Sequence, residues 1–217
     1  MLELKNLCKS YGRHIALSNL SLTIPDGALY GLVGPNGAGK TTAIKLISGI
    51  MLPDRGEILF DNVNLVKEER SAKETVGYVP DVLGIYDDMT VFEYMVFFAS
   101  TYGLTGYIAR KKIEILLEQV GMTDKKGFYL NELSRGMQQK LCVARALIHD
   151  PALIIMDEPF SALDASQFQK ELDKVLSLSS AVVLTLHRQE EMLSRFDQIW
   201  EIKDGELVVV KRVLKHD

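Results

Sequence analysis

The run Gly34-Pro35-Asn36-Gly37-Ala38-Gly39-Lys40-Thr41-Thr42 limits what this chain can fold into more than any other stretch. Before it, Ala28-Leu29-Tyr30-Gly31-Leu32-Val33 is an unbroken apolar segment of the kind that forms a buried strand. After it, Ala43-Ile44-Lys45-Leu46-Ile47 reads as a helix. A strand that passes into a helix through a glycine-rich loop brings backbone N–H groups close to an anion. The helix opening near Gly39 adds unpaired N–H groups and the positive end of a dipole. Lys40 supplies a mobile cation for β- and γ-phosphates, and the Thr41 hydroxyl is placed to ligate Mg²⁺. A tight turn with an incidental lysine is the bland alternative, but strand, loop and helix all agree on phosphate binding. The loop points to a nucleoside triphosphate and leaves open what its energy is used for.

The 217 residues suggest one domain, with room for a subdomain. A chain of this length buries roughly 70% of its unfolded surface, so it needs no disulfide or metal staple. A net charge of −4 argues against a general nucleic-acid binder, leaving room only for a local basic patch. Cys8 and Cys142 lack metal-ligand spacing and fit a reducing compartment. Glu3 and Lys5 interrupt any signal-like apolar run at the start. No stretch approaches the ~20 apolar residues of a membrane helix. The nearest, 91–104, contains Glu93, Ser100 and Thr101. Any membrane role is therefore expected to come through a partner protein.

The rest of the chain parses around this loop. Leu2-Glu3-Leu4-Lys5 and residues 15–24 alternate apolar and polar, predicting two half-exposed antiparallel strands with Tyr11 in the loop between them. Pro25-Asp26-Gly27 turns the chain toward the phosphate-loop strand, and Pro53-Asp54-Arg55-Gly56 precedes a short strand at 57–60. Residues 75–79 read as a buried strand stopped by Pro80. Asp81 follows at its carboxyl end, where open α/β sheets bind ligands. From about 82 to 148 the pattern turns helical. Thr90 and Glu93 fit a capping box that opens a helix running to about Tyr102. Residues 107–120 form a second helix with Ile108, Ile113, Leu116, Leu117 and Val120 on its apolar side, ended by Gly121. Leu133-Ser134-Arg135-Gly136-Met137 leads into a third at 138–148. The apolar run 152–156 has no alternation, as in a central parallel strand, and ends in Asp157-Glu158-Pro159. A helix at 164–178 with Asp164 and Gln167 at capping spacing, a buried strand at 181–186 ending at His187, and a hairpin around Asp204-Gly205 complete the chain. The expected fold is α/β. It has a P-loop core with a mostly parallel sheet, an N-terminal antiparallel β subdomain and an inserted helical subdomain, all in one domain spanning 1–217.

Phosphoryl transfer to water needs a phosphate cradle, a metal, a positioned water and charge neutralisation. Asp157, an acid at the end of an apolar strand, suits the metal; a strand-end acid with no partner is the lesser reading. Adjacent strand-end side chains point in different directions, so Glu158 need not share that task. We assign it the attacking water, a role typically worth ~10²–10⁴-fold. His187 ends another core strand and suits a γ-phosphate contact, against the plainer reading of a structural histidine or helix cap.

Taken together, these segments resemble the ATP-binding cassette (ABC) ATPases. Residues 34–42 resemble Walker A, and Leu133 to Met137 resemble the family's signature motif. The signature is placed shortly before the Walker B segment 153–158, an order close to diagnostic. Ser161-Ala162-Leu163-Asp164 resembles the D-loop, His187 the switch histidine and Tyr11 the aromatic that stacks on adenine. The resemblance implies ATP and Mg²⁺ as ligands. It also implies a head-to-tail dimer, of identical or related subunits, with each ATP held between one P-loop and the other subunit's Ser134 and Gly136. Ser134 as a plain helix N-cap is compatible with that role. Two positions depart from the pattern. Arg135 and Met137 replace glycine and glutamine of Leu-Ser-Gly-Gly-Gln, and Asp81 occupies the Q-loop glutamine position, where it is placed to reach Mg²⁺ through water. Both departures resemble the ABC-2 exporter branch.

The resemblance implies a motor subunit, cytoplasmic and peripheral at the inner membrane face, docked on a separate permease, with no direct nucleic acid contact. Phe92, Tyr94, Phe97 and Phe98 would help form the dock, although most of them also suit a subdomain core. A soluble ABC protein of nucleic-acid maintenance or translation is the alternative, weakened by the single cassette and the lack of heptad runs. A module that holds ATP without hydrolysing it is opposed by Glu158 and His187.

Overall fold

The computed structural model describes residues 1–25, 29–68, 74–81, 84, 88–159, 165–178, 182–186 and 196–212. β1 (Leu2–Tyr11) and β2 (His14–Ile24) pair antiparallel from Leu2↔Ile24 to Tyr11↔His14. Their inward residues Leu2, Leu4, Leu7, Leu17, Leu20 and Ile24 are all buried; register shifts in the pairing, with positive φ at Asn6 and Asn19, bring Leu7 and Leu17 to the face of Leu4 and Leu20 where strict alternation would turn them away. Tyr11 is the last residue of β1 rather than part of a loop, because the strands stay paired up to a two-residue Gly12-Arg13 turn. Asp26, Gly27 and Ala28, expected at the entry to the next strand, lie outside the described residues.

β3 (Leu29–Val33) leads through the glycine-rich loop into α1 (Lys40–Ile47). β4 (Arg55–Phe60) and β5 (Val63–Asn64) then return to the first sheet, whose order is β2-β1-β4-β5. The antiparallel unit is therefore completed from beyond the phosphate loop, with Leu2 facing Phe60 across β1 and β4. The second sheet takes β6 (Val76–Val79), β7 (Leu153–Met156), β8 (Val182–Leu186), β9 (Gln198–Lys203) and β10 (Glu206–Arg212). Its order is β10-β9-β3-β8-β7-β6, parallel throughout except for the β9–β10 hairpin.

Both faces of this sheet are covered, which explains strands that are apolar without alternation. Leu29, Val33, Ile154, Met156, Val182 and Leu184 face a helical layer. Tyr30, Leu32, Leu153, Ile155, Val183 and Trp200 face α1 and the antiparallel sheet. Tyr30 stacks on Trp200 with centroids 4.7 Å apart.

The helical layer is α2 (Val91–Thr101), α3 (Gly106–Gln119) and α4 (Arg135–Ala146), with α5 (Ala165–Leu178) following β7. The Thr90 hydroxyl accepts the Glu93 N–H at 3.3 Å, and the Glu93 carboxylate accepts the Thr90 N–H at 2.9 Å, forming the expected capping box. Two expectations are corrected. Ile108 is 69% exposed, and Ala109 is buried in its place. Ala109 lies four residues before Ile113 and so shares its face, whereas Ile108 lies five before it and turns away. α4 begins at Arg135, three residues earlier than read, because the Ser134 side chain caps it by accepting the Met137 N–H. Of the four aromatics considered for a dock, Tyr94 is fully buried, Phe92 and Phe98 pack partly against the core, and Phe97 is exposed. Asp164, expected to cap α5, lies outside the described residues. Among the described residues no helix is long and apolar enough to cross a membrane.

Candidate functional site

The phosphate loop is shaped by glycine where nothing else fits. A Cβ on Gly34 would lie 2.2 Å from the Ile202 carbonyl oxygen, and one on Gly39 would lie 2.4 Å from that of Ala16. Gly39 also holds φ +106 as the residue before α1. The loop is braced from outside: the Gly205 N–H donates to the Ala38 carbonyl at 3.0 Å, and the Gly205 carbonyl accepts the Ser18 N–H at 2.8 Å. The β9–β10 turn thus ties loop and β2 together. Pro35, Asn36 and Gly37 stay exposed along the crest, Ala38 is buried beneath, and Thr41 and Thr42 open the helix. Lys40 is only 5% exposed, and its ammonium donates to the carbonyls of Gly34 at 2.8 Å and Pro35 at 3.2 Å. The lysine therefore lies along the loop it belongs to, within its ring of backbone dipoles.

Asp157 stands at the carboxyl end of β7 and is 5% exposed. One of its oxygens, Oδ1, accepts the Thr41 hydroxyl at 3.4 Å and the Thr185 hydroxyl at 2.9 Å. Its backbone N–H donates to Val79 on β6 at 2.9 Å. A buried carboxylate beside a hydroxyl at the phosphate loop is a hard-oxygen donor set. It fits a small divalent ion such as Mg²⁺ that takes its remaining ligands from phosphate and water.

Thr185, fully buried on β8, is the member of this cluster that the sequence did not disclose. Its hydroxyl oxygen also accepts the Glu158 N–H at 2.6 Å. One hydroxyl thus fixes two successive acids. Glu158 takes φ +46, a left-handed conformation unfavourable for a residue with a Cβ, so its neighbours hold it there against local preference. The readable signal was a single hydroxyl inside Val182-Val183-Leu184-Thr185-Leu186.

Asp81 lies just beyond β6 and pairs with Arg135 at the start of α4, 3.2 Å away. Arg145, further along α4, donates to the Tyr94 hydroxyl at 3.1 Å and to the Tyr78 carbonyl at 2.9 Å, and lies over the Phe98 ring. It was not singled out from sequence, yet it anchors the helical layer to the sheet. Burial first, then the charge of Asp157, push the Tyr78 hydroxyl up to about 12. Ser134, Arg135 and Gly136 are exposed, and a Cβ on Gly136 would meet no atom within 4 Å. No hydrogen bond or ion pair joins Ser134 or Gly136 to the phosphate loop among the described residues. Tyr11 is 48% exposed, its hydroxyl 3.1 Å from the Met51 sulfur, at the hairpin end nearest the β2 residue that Gly39 abuts. His187 and the segment 161–164 lie outside the described residues.

The profile of the family described as ABC transporter matches residues 17–161. The chain is 35% identical to the linearmycin resistance ATP-binding protein LnrL of Bacillus subtilis (strain 168), over 97% of this chain and 68% of that protein. It is 33% identical to the Nod factor export ATP-binding protein I of Burkholderia orbicola (strain AU 1054), over 94% of this chain and 68% of that protein. It superimposes on a dimeric ATP-binding cassette in a post-hydrolysis state, bound to ADP and Pi. That match has a TM-score of 0.88 and 26% identity, and covers 98% of this chain and 99% of the other. With the glycine loop, the strand-end acid and the exposed Ser134 segment all in place, the chain belongs to the ABC transporter family, as an ATP-binding and ATP-hydrolysing cassette subunit.

Proposed function

We propose that the chain is the motor of an exporter, hydrolysing Mg²⁺-ATP in a head-to-tail dimer on the cytoplasmic face of a separate permease. The observation that carries the catalytic part is the cluster in which Thr185 holds both Asp157 and Glu158 beside Thr41. In this reading Gly34 to Thr42 wrap the phosphates and Lys40 turns its ammonium to the β- and γ-oxygens. Thr41 and Asp157 hold Mg²⁺, with Asp81 reaching it through water. The bound ion supplies charge neutralisation on the phosphate oxygens. Glu158 orients the attacking water and takes its proton, His187 contacts the γ-phosphate, and Tyr11 stacks on adenine. Ser134 and Gly136, exposed at the N-terminal end of α4, complete the site of a second copy. The export direction is supported by the names of the relatives, one concerned with linearmycin resistance and one with Nod factor export.

A cleft of about 750 Å³ beside the end of α2 offers a recess for a permease segment; Tyr102, Leu104, Lys112, His149 and Asp150 are among its lining residues. The His149 ring stacks flat on Tyr102 at 4.1 Å, with its nitrogens buried.

The test of the reading is Glu158→Gln. Turnover should fall by ~10²–10⁴-fold and an ATP-bound dimer should accumulate on gel filtration. An unaltered rate would remove Glu158 from its role. For the permease, co-purification of a membrane subunit from solubilised membranes is expected, and recovery only in soluble complexes would count against docking.

A further inference from the structure

Arg135 and Asp81 each depart from the family's usual residue, and the fold sets them against each other. The guanidinium Nη2 lies 3.2 Å from Asp81 Oδ1, with side chains 61% and 41% exposed. One is positive where glycine is usual, the other negative where glutamine is usual. The two changes compensate across 54 residues of sequence. The pair also spans the two halves of the machinery. Asp81 lies two residues beyond Val79, whose carbonyl accepts the Asp157 N–H at 2.9 Å, so it belongs to this subunit's own phosphate site. Arg135 is the first residue of α4, between Ser134 and Gly136, in the segment that in our reading meets the partner's triphosphate.

We propose that Arg135 is a positioning residue that links the two sites of the dimer: it holds Asp81 while the subunits are apart and exchanges it for the partner's phosphate oxygens as they close. The inference rests on the head-to-tail reading above. A guanidinium pairs as readily with phosphate as with carboxylate, through the same planar fork of donors. The ion pair is exposed, so giving it up costs little; such pairs shift an equilibrium by about two- to fivefold. Once Arg135 turns to the partner's nucleotide, Asp81 is released toward its own metal site. Loading one site therefore prepares the other. With the glycine and glutamine usual in the family, this exchange has no charged groups to run on.

The experiment compares the full chain with Arg135→Ala, Arg135→Lys, Asp81→Asn and the Arg135→Ala/Asp81→Asn double variant. The first readout is the Mg²⁺ concentration that gives half-maximal binding of a fluorescent ATP analogue, measured at protein concentrations where the chain is monomeric. Arg135→Ala should lower it by about two- to fivefold, because Asp81 is no longer held. On the Asp81→Asn background the same substitution should change nothing. The second readout is ATP-driven dimerisation on the Glu158→Gln background. Arg135→Ala should weaken it by about tenfold, the worth of a hydrogen bond to a charged group, and Arg135→Lys should restore part of the loss. An unshifted Mg²⁺ requirement, or additive effects of the two substitutions, overturns the proposal however the dimer behaves. A normal Mg²⁺ shift in a chain that never dimerises with ATP would instead overturn the head-to-tail reading. Both residues are surface-exposed, and unchanged thermal melting would show that the variants are folded.

Discussion

The phosphate loop and the Ser134 segment make opposite use of the same element, the N-terminal end of a helix. At the loop the groups are already engaged. Lys40 is buried against Gly34 and Pro35, Ala38 is bonded to Gly205, and Thr41 reaches Asp157. At the start of α4, Ser134, Arg135 and Gly136 stand exposed, with the Ser134 side chain capping its own helix and Arg135 paired to Asp81. The first region is preorganised, which electrostatic stabilisation of a transition state requires. The second is a surface presented outward. In the proposed reading, the finished half of one chain meets the presented half of another.

Substitutions in the two regions should have separable effects. Lys40→Ala attacks the finished half. ATP turnover should drop by ~10²–10³-fold, as for loss of a single preorganised charge donor, in a steady-state phosphate-release assay. Ser134→Arg attacks the presented half and should spare ATP binding by the isolated subunit while abolishing ATP-driven dimerisation on gel filtration. Equal damage to both would merge the two regions into one. Thr185→Val removes the closer of the two hydroxyls bonded to Asp157 Oδ1 and the hydroxyl that accepts the Glu158 N–H. It should cost about 1–3 kcal/mol in urea unfolding and also slow turnover.

A smaller effect concerns His149, whose pKa is lowered by burial above all. The unfolded chain then takes up the proton first as pH falls. Stability should be undiminished above the ordinary histidine value of about 6.5 and decline below it, and His149→Gln should flatten that slope in urea midpoints. The same logic applies to Tyr78 at the alkaline end. Its raised pKa, about 12 against an ordinary 10.0, makes the unfolded chain lose the proton first, so stability falls as pH rises beyond 10.

What the sequence disclosed were features whose signal is local. Glycines, lysine and threonine stand side by side in 34–42, and an acid ends an apolar run at Asp157. Each was legible because neighbouring residues suffice to imply the geometry. The features it concealed depend on contacts between distant segments. Thr185 meets Asp157 across two strands, Arg135 meets Asp81 across the helical layer, and Gly205 braces Ala38 from the last hairpin. None of these partners has a sequence neighbour that points to it. Ile108 shows the limit within one helix: an apolar residue five positions from its supposed face-mate lies outside, and the small Ala109 takes the interior position. Likewise the start of α4 was set by the Ser134 cap, three residues before the position read from the sequence.

The claim that each site is assembled from two copies is tested most directly by mixing. Glu158→Gln subunits keep an intact Ser134 segment but lack the water-orienting acid; Ser134→Arg subunits keep an intact phosphate site but present a spoiled segment. Each variant alone should turn over ATP at a small fraction of the normal rate. Mixed in equal amounts they should regain turnover, because the hybrid dimer contains one site with every part in place. Hybrid dimers that form yet stay as inactive as their parents would contradict the account.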